Sequence, residues 1–306
     1  MNAASPSHPA TARRTTWRRV SAALAISALS LLAIPGVGLQ AQPVDPALEQ
    51  RVTIDEPVIV DESVIINQGH VDLGPYLDES GQLQFYARDD ASISPVWRPT
   101  EDVIFGVGEA AEIALPDDAN YNFIGAAPGD TVWVVPQTEI QGVPWVGWNT
   151  QSPTIAEIAD KGVTLEFVGH AGPGEHSVFL QPGGFAEPDV LWTKKEPGSI
   201  WVEPHTHTHA NWVFTEPGSH LVVLRATIET AQGETHTAEA TLRFAVGIDP
   251  LEYQAPSRDE VTSGSSATLW YTIAGVAVAI VVVAGVIIWV VRRGNHNSSA
   301  EDEDER

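Results

Sequence analysis

Three histidines fall within five residues at His205-Thr206-His207-Thr208-His209, and the run continues into Ala210-Asn211-Trp212-Val213-Phe214. In a strand, successive side chains point to opposite faces, so His205, His207, His209, Asn211 and Val213 share one face and Thr206, Thr208, Ala210, Trp212 and Phe214 the other. The tryptophan and phenylalanine face is expected to be core. The imidazoles then stand together on the face away from it, as neutral nitrogen ligands for one metal ion. A second ligand pair, His70 and Asp72, lies in Gly69-His70-Val71-Asp72-Leu73-Gly74, with Val71 and Leu73 on the opposite face. Both patterns also fit solvated surface strands.

The elements that must position these residues are strands. β-Branched and alternating runs recur at Val52–Ile54, Pro57–Val60, Gly81–Arg88, Val103–Val107, Thr131–Val135, Val163–Val168, Leu221–Thr230 and Thr237–Val246, with turn signals between them. Thr154–Ala159 is expected to form one helical turn. The expected fold is all-β, an antiparallel, immunoglobulin-like β-sandwich, as one body or as two halves meeting near residue 160. Gly142–Thr150 reads as a Gly- and Pro-rich loop that places Trp145 and Trp148 either for stacking on a ligand or as a plug for the end of the sandwich. A P-G-x-H-x-V-x-L pattern occurs at Pro173–Leu180 and again at Pro217–Leu224. It puts His176 and His220 on the Val and Leu face, as core-edge residues, while His236 sits at a hairpin tip or early in a strand. G-x-G-x-x-A at Gly106–Ala111 lacks the following helix and strand that a dinucleotide site needs.

The two ends read as an address. Arg13, Arg14, Arg18 and Arg19 precede an apolar run, Val20–Leu39, and small or polar residues follow, so residues 1–41 are expected to be a cleaved signal peptide. Residues 269–291 carry no charge, begin with Trp270 and Tyr271 near the start and Trp289 near the end, and are long enough for a membrane helix. Arg292 and Arg293 mark its cytoplasmic side. The expected order is an extracellular domain over 42–247, a linker over 248–268, the transmembrane helix, and an acidic cytoplasmic tail over 292–306. The protein is thus expected at the cell membrane, single-pass, with its domain outside.

Residues 42–268 hold 9 Lys and Arg against 35 Asp and Glu, so the acidity belongs to the outer domain. That field repels nucleic acid and attracts cations. The chain has no cysteine, so any metal must be held by His, Asp, Glu or water.

Gly69-His70-Val71-Asp72, Trp133–Thr138, Gly147-Trp148-Asn149-Thr150 and above all Thr206–Phe214 followed by Pro217-Gly218 resemble the actinobacterial surface-anchored proteins known as the choice-of-anchor M domain family. The resemblance spans roughly residues 50–247. It implies a secreted protein whose anchor here would be the transmembrane helix, with a role beside metal-uptake ABC importers handling zinc or manganese. Carried over residue by residue, it points to His70, Asp72, His207 and His209; His205 lies outside the motif.

The expected function is a membrane-anchored surface module that captures a divalent metal, Zn or Mn, or docks against the substrate-binding subunit of such an importer, through the strand histidine cluster. The alternatives are a metal-free adhesion or scaffold domain and a metallohydrolase. No H-E-x-x-H, G-x-S-x-G or cysteine nucleophile is present, and the protein is expected not to be an enzyme.

Overall fold

Alternating apolar and polar residues dictate short strands, and short strands dominate the computed structural model, which describes residues 50–91, 94–183 and 186–261. The strands are β1 (Val64–Ile66), β2 (Gly69–Leu77), β3 (Leu83–Asp89), β4 (Val96–Pro99), β5 (Val103–Val107), β6 (Glu112–Ala114), β7 (Thr131–Val135) and β8 (Pro144–Asn149). After a short α-helix, α1 (Pro153–Ile158), come β9 (Ala159–Ala171), β10 (His176–Leu180), β11 (Asp189–Thr193), β12 (Ser199–Val202), β13 (His207–His209), β14 (Asn211–Phe214), β15 (Gly218–Thr230) and β16 (Thr235–Val246).

They form three sheets, in the orders β1-β5-β16-β15-β9-β12, β11-β10-β14-β7-β6 and β13-β8-β2-β3-β4. The all-β expectation holds, and the packed sheets are consistent with a sandwich architecture. Two finer expectations need correction. The pairing is not purely antiparallel, because β1 with β5, β5 with β16, and β2 with β8 run parallel. Parallel neighbours need long crossover connections, and here the intervening chain goes through the other sheets. Nor does the chain divide near residue 160, since every sheet combines strands from both sides of that point.

One large core joins all three sheets. Leu73 and Trp148, Phe105, Leu224 and Phe244, and Val135 and Trp212 belong to a single buried cluster. Phe244 packs its ring within 5.1 Å of Phe105 and 5.0 Å of Phe214, tying β16 to β5 and β14. Gly142–Thr150 is not a loop over most of its length. Pro144–Asn149 is a fully buried central strand, with Pro144 at its first position, where a missing N–H is tolerated.

The expected linker is docked as far as it is described. Tyr253 donates its hydroxyl to the His220 carbonyl at 3.2 Å, and Arg258 bonds Thr241 and pairs with Glu239. Among the described residues, no helix is long and apolar enough to cross a membrane. The expected signal segment 1–41, transmembrane helix 269–291 and tail 292–306 lie outside the described residues.

Candidate metal centre

The site is built on one face of the sheet β13-β8-β2-β3-β4. In β2, His70 and Asp72 are two apart and share that face, while Val71 and Leu73 enter the core. In β13, His207 and His209 do the same. These two strands are not neighbours, because β8 runs between them, with Gly147 opposite Asp72 on one side and His209 on the other. Two strand spacings separate the ligand pairs, roughly 9.5 Å of backbone. Gly147 makes the gap crossable. A Cβ there would lie 2.6 Å from the Thr208 carbonyl oxygen, 2.7 Å from His209 Cε1 and 2.8 Å from Asp72 Oδ1. His209 and Asp72 close over the space that a side chain would fill.

The four donor groups converge. The Nε2 atoms of His70, His207 and His209 lie 3.0 Å (His70 to His207), 2.8 Å (His70 to His209) and 3.0 Å (His207 to His209) apart. The Asp72 carboxylate faces them, with Oδ2 3.1 Å from His207 Nε2, and Oδ1 3.6 Å from His70 Nε2 and 3.5 Å from His209 Nε2. A tetrahedral ion with bonds of 2.0–2.1 Å places its ligands about 3.3 Å apart, so the nitrogens need part by only a few tenths of an ångström for the set to hold a small four-coordinate ion. Oδ2 also accepts from Asn149 Nδ2 at 3.3 Å, whereas Oδ1 is buried with no hydrogen-bond partner. Among the described residues, this is the one group of three or more ligand-type side chains whose donor atoms converge.

Protons cannot satisfy the triangle of nitrogens. The Asp90 carboxylate, 2.6 Å from His70 Nδ1, only accepts, so that nitrogen carries the proton and neutral His70 presents a bare Nε2. If His207 and His209 both donate to it, their own N–H groups confront each other across 3.0 Å. If either does not, two lone pairs face each other. A cation at the centre relieves every pair at once.

The electrostatics agree with ligand chemistry. Burial opposes protonation of His70, but the Asp90 hydrogen bond and the Asp72 and Asp90 charges outweigh it and raise its pKa. Burial also opposes ionisation of Asp72. The His207 hydrogen bond and the surrounding histidines nonetheless hold that carboxyl below its ordinary value. Burial pushes His209 down to about 3 against the pull of Asp72, which keeps its imidazole neutral. The Trp145 indole stacks on His209 with centroids 4.0 Å apart, meets His70 edge-on at 5.0 Å, and donates its N–H to the Gln137 carbonyl.

His205 is not part of this group. It is exposed, with φ 61°, in the turn before β13. Extending the alternation back to it assumed a strand that begins only at His207. The strand also ends sooner than the alternation suggests, because the chain turns at buried Ala210 and enters a different sheet as β14. Trp212 and Phe214 are core residues, but of that second sheet.

Sequence reasoning missed Gly147, Asn149, Asp90 and the packing role of Trp145. The alternation of Trp145, Gly147 and Asn149 on one face against Val146 and Trp148 on the other was the available signal, masked by the loop-like glycines and proline. It also missed His170, which is fully buried with His176 and His220. His220 Nε2 donates to the Glu216 carbonyl, so its Nδ1 accepts from His170 Nε2–H at 2.9 Å; His176 Nδ1 donates to the Val213 carbonyl. These three are deep core residues rather than core-edge ones.

No protein-family model, curated protein or solved structure matches the chain.

Proposed function

We propose that the protein is a cell-surface zinc-binding module that holds one divalent ion on His70, Asp72, His207 and His209 and presents it to the substrate-binding subunit of a metal-uptake ABC importer. The observation that carries the metal reading is the triangle of mutually facing Nε2 atoms closed by a buried, unpartnered carboxylate oxygen. Three imidazoles and one carboxylate suit zinc better than manganese, which favours oxygen-rich, six-coordinate sites.

Surface location is supported by the signal-like N-terminus and the uncharged run 269–291, and the importer partnership by the resemblance to surface-anchored proteins. Four protein ligands leave no coordination position for a substrate water, which favours carriage over hydrolysis. A second reading, a purely structural ion, draws on the fact that β13 is three residues long and sits at a sheet edge, where an ion would pin it.

The test is the zinc content and affinity of the purified full chain beside a His207→Ala/His209→Ala double variant. One tightly held zinc per chain, lost in the variant, is expected. A wild-type chain that takes up no zinc would overturn the metal reading. Unfolding on removal of zinc would favour the structural ion over the carried one.

A further inference from the structure

The His70 ring is held from behind by a chain of ionic contacts that leaves the sheet. Asp90 Oδ1 receives His70 Nδ1–H at 2.6 Å, and its Oδ2 accepts from Arg88 Nη1 at 2.9 Å. Arg88, almost fully buried, then turns its other edge to Glu56, with Nε 2.7 Å from Oε2 and Nη2 2.8 Å from Oε1. Glu56 belongs to no strand. It lies in the segment 50–61, which runs along the edge strand β4 through two hydrogen bonds, Trp97 N–H to the Pro57 carbonyl and Ile59 N–H to the Trp97 carbonyl, both 2.9 Å. Much of that strap faces solvent, with Ile54 72% and Val60 53% exposed.

Resting on the zinc-site reading above, we infer that this strap is coupled to the metal centre: docking of Glu56 on Arg88 and binding of zinc by His70 reinforce each other, so displacing residues 50–61 loosens the ion. The reason is the shared guanidinium. A planar fork engaged by Glu56 on one edge offers Asp90 a single bond and leaves the other carboxylate oxygen to orient and polarise His70. Without Glu56, the buried cation has only Asp90 to satisfy it and draws that carboxylate away from the imidazole. Partners of this kind behind a ligating histidine fix its ring and raise its basicity. Reciprocity then requires that zinc favour the docked strap. A surface protein that must both hold and surrender an ion gains a handle remote from the ligands. Asp90, Arg88 and Glu56 are positioning residues in this scheme.

The experiment uses the full chain, wild type and Glu56→Gln, with zinc affinity measured by competition against a chromophoric chelator. Hydrogen exchange across residues 50–61 is followed with and without zinc. Glu56→Gln, nearly isosteric, is expected to weaken zinc about 5-fold or more, and Asp90→Asn about 10- to 100-fold. Zinc is expected to slow exchange at the Ile59 and Trp97 amides in the wild type, and to slow it less in Glu56→Gln. The visible spectrum of the cobalt-loaded protein should shift in the variants, which a loss of stability alone would not produce. Wild-type chain that takes up no ion overturns the metal reading and the coupling with it. Wild-type chain that binds zinc with unchanged exchange at the strap, or a Glu56→Gln variant that binds it within twofold of wild type, overturns the coupling alone.

Discussion

Gly147→Ala is the substitution that separates a metal centre from a merely polar corner of the sheet. The added methyl would stand 2.7 Å from His209 Cε1 and 2.8 Å from Asp72 Oδ1, with the Thr208 carbonyl 2.6 Å away as a third obstacle. Ordinary contact begins near 3.4 Å, so the neighbours must retreat by roughly 0.6 to 0.8 Å, beyond the ~0.5 Å within which a functional constellation must be held. The backbone carbonyl cannot move without straining the β8–β13 ladder, so the side chains give way. They are a ligand from each flanking strand. Zinc affinity is expected to fall at least about 100-fold, which is about 2.8 kcal/mol at 1.4 kcal/mol per tenfold. Overpacking should take about 1–3 kcal/mol from the stability of the zinc-free chain. Competition titration reads the first and urea unfolding in chelator reads the second. Gly108→Ala, where a Cβ meets nothing within 4 Å, serves as the control. A Gly147→Ala chain that binds zinc within threefold of wild type would refute the argument that the ion sits over this glycine.

Saturating zinc should raise the unfolding temperature of the wild type, since a thousandfold excess over the dissociation constant contributes about 4 kcal/mol, and a chelator should remove the gain; His207→Ala/His209→Ala should show no response in the same thermal scans. His205→Ala should leave zinc affinity within twofold of wild type by titration, because that residue is exposed in a turn outside the cluster. Acid should destabilise the domain through its second histidine group: burial lowers His176 to about 3 and His220 to about 4, and drives His170 lower still. Their folded values lie below the unfolded one near 6.5, so this stability is complete above about pH 6.5 and is lost as pH falls, by about 1.4 kcal/mol per unit for each histidine still neutral in the fold. Urea midpoints of the zinc-free His207→Ala/His209→Ala variant from pH 7.5 to 4.5 measure it with the metal ligands disabled, and a flat profile would contradict the assignment.

The sequence made the two ligand pairs visible because a strand's period of two is simple: histidine or aspartate at every second position needs no tertiary knowledge to be placed on one face. What it could not supply was adjacency. His70 and His207 are 137 positions apart, and nothing local says that β8 lies between their strands or that a glycine in β8 clears the way. The same limit explains the two errors nearby. Alternation alone extends a strand until a breaker appears, so it ran from His205 to Phe214, although the chain changes sheets at Ala210. Composition alone made Gly142–Thr150 a loop, although Gly147 is in a buried strand for the room it leaves and Pro144 is tolerated as a first residue. Parallel pairing of β2 with β8 was likewise invisible, being set by how three sheets share one core.

The acidic charge and the ligand cluster act at different ranges, and their division of labour bears on what the domain is built to do. Nine basic against 35 acidic side chains across residues 42–268 give a field that concentrates any cation and distinguishes none. Discrimination has to come from the site, where three imidazoles and one carboxylate converge in a volume too small for a hydrated ion. Entry therefore strips the ion's water, and four-fold ligation rich in imidazole nitrogen compensates zinc for that loss better than magnesium, calcium or manganese, which favour six or more oxygen ligands. A site so closed would release its ion slowly on its own. The ionic chain from His70 to Glu56 reaches a solvent-exposed strap where a partner could act, so holding and releasing need not be set by the same residues.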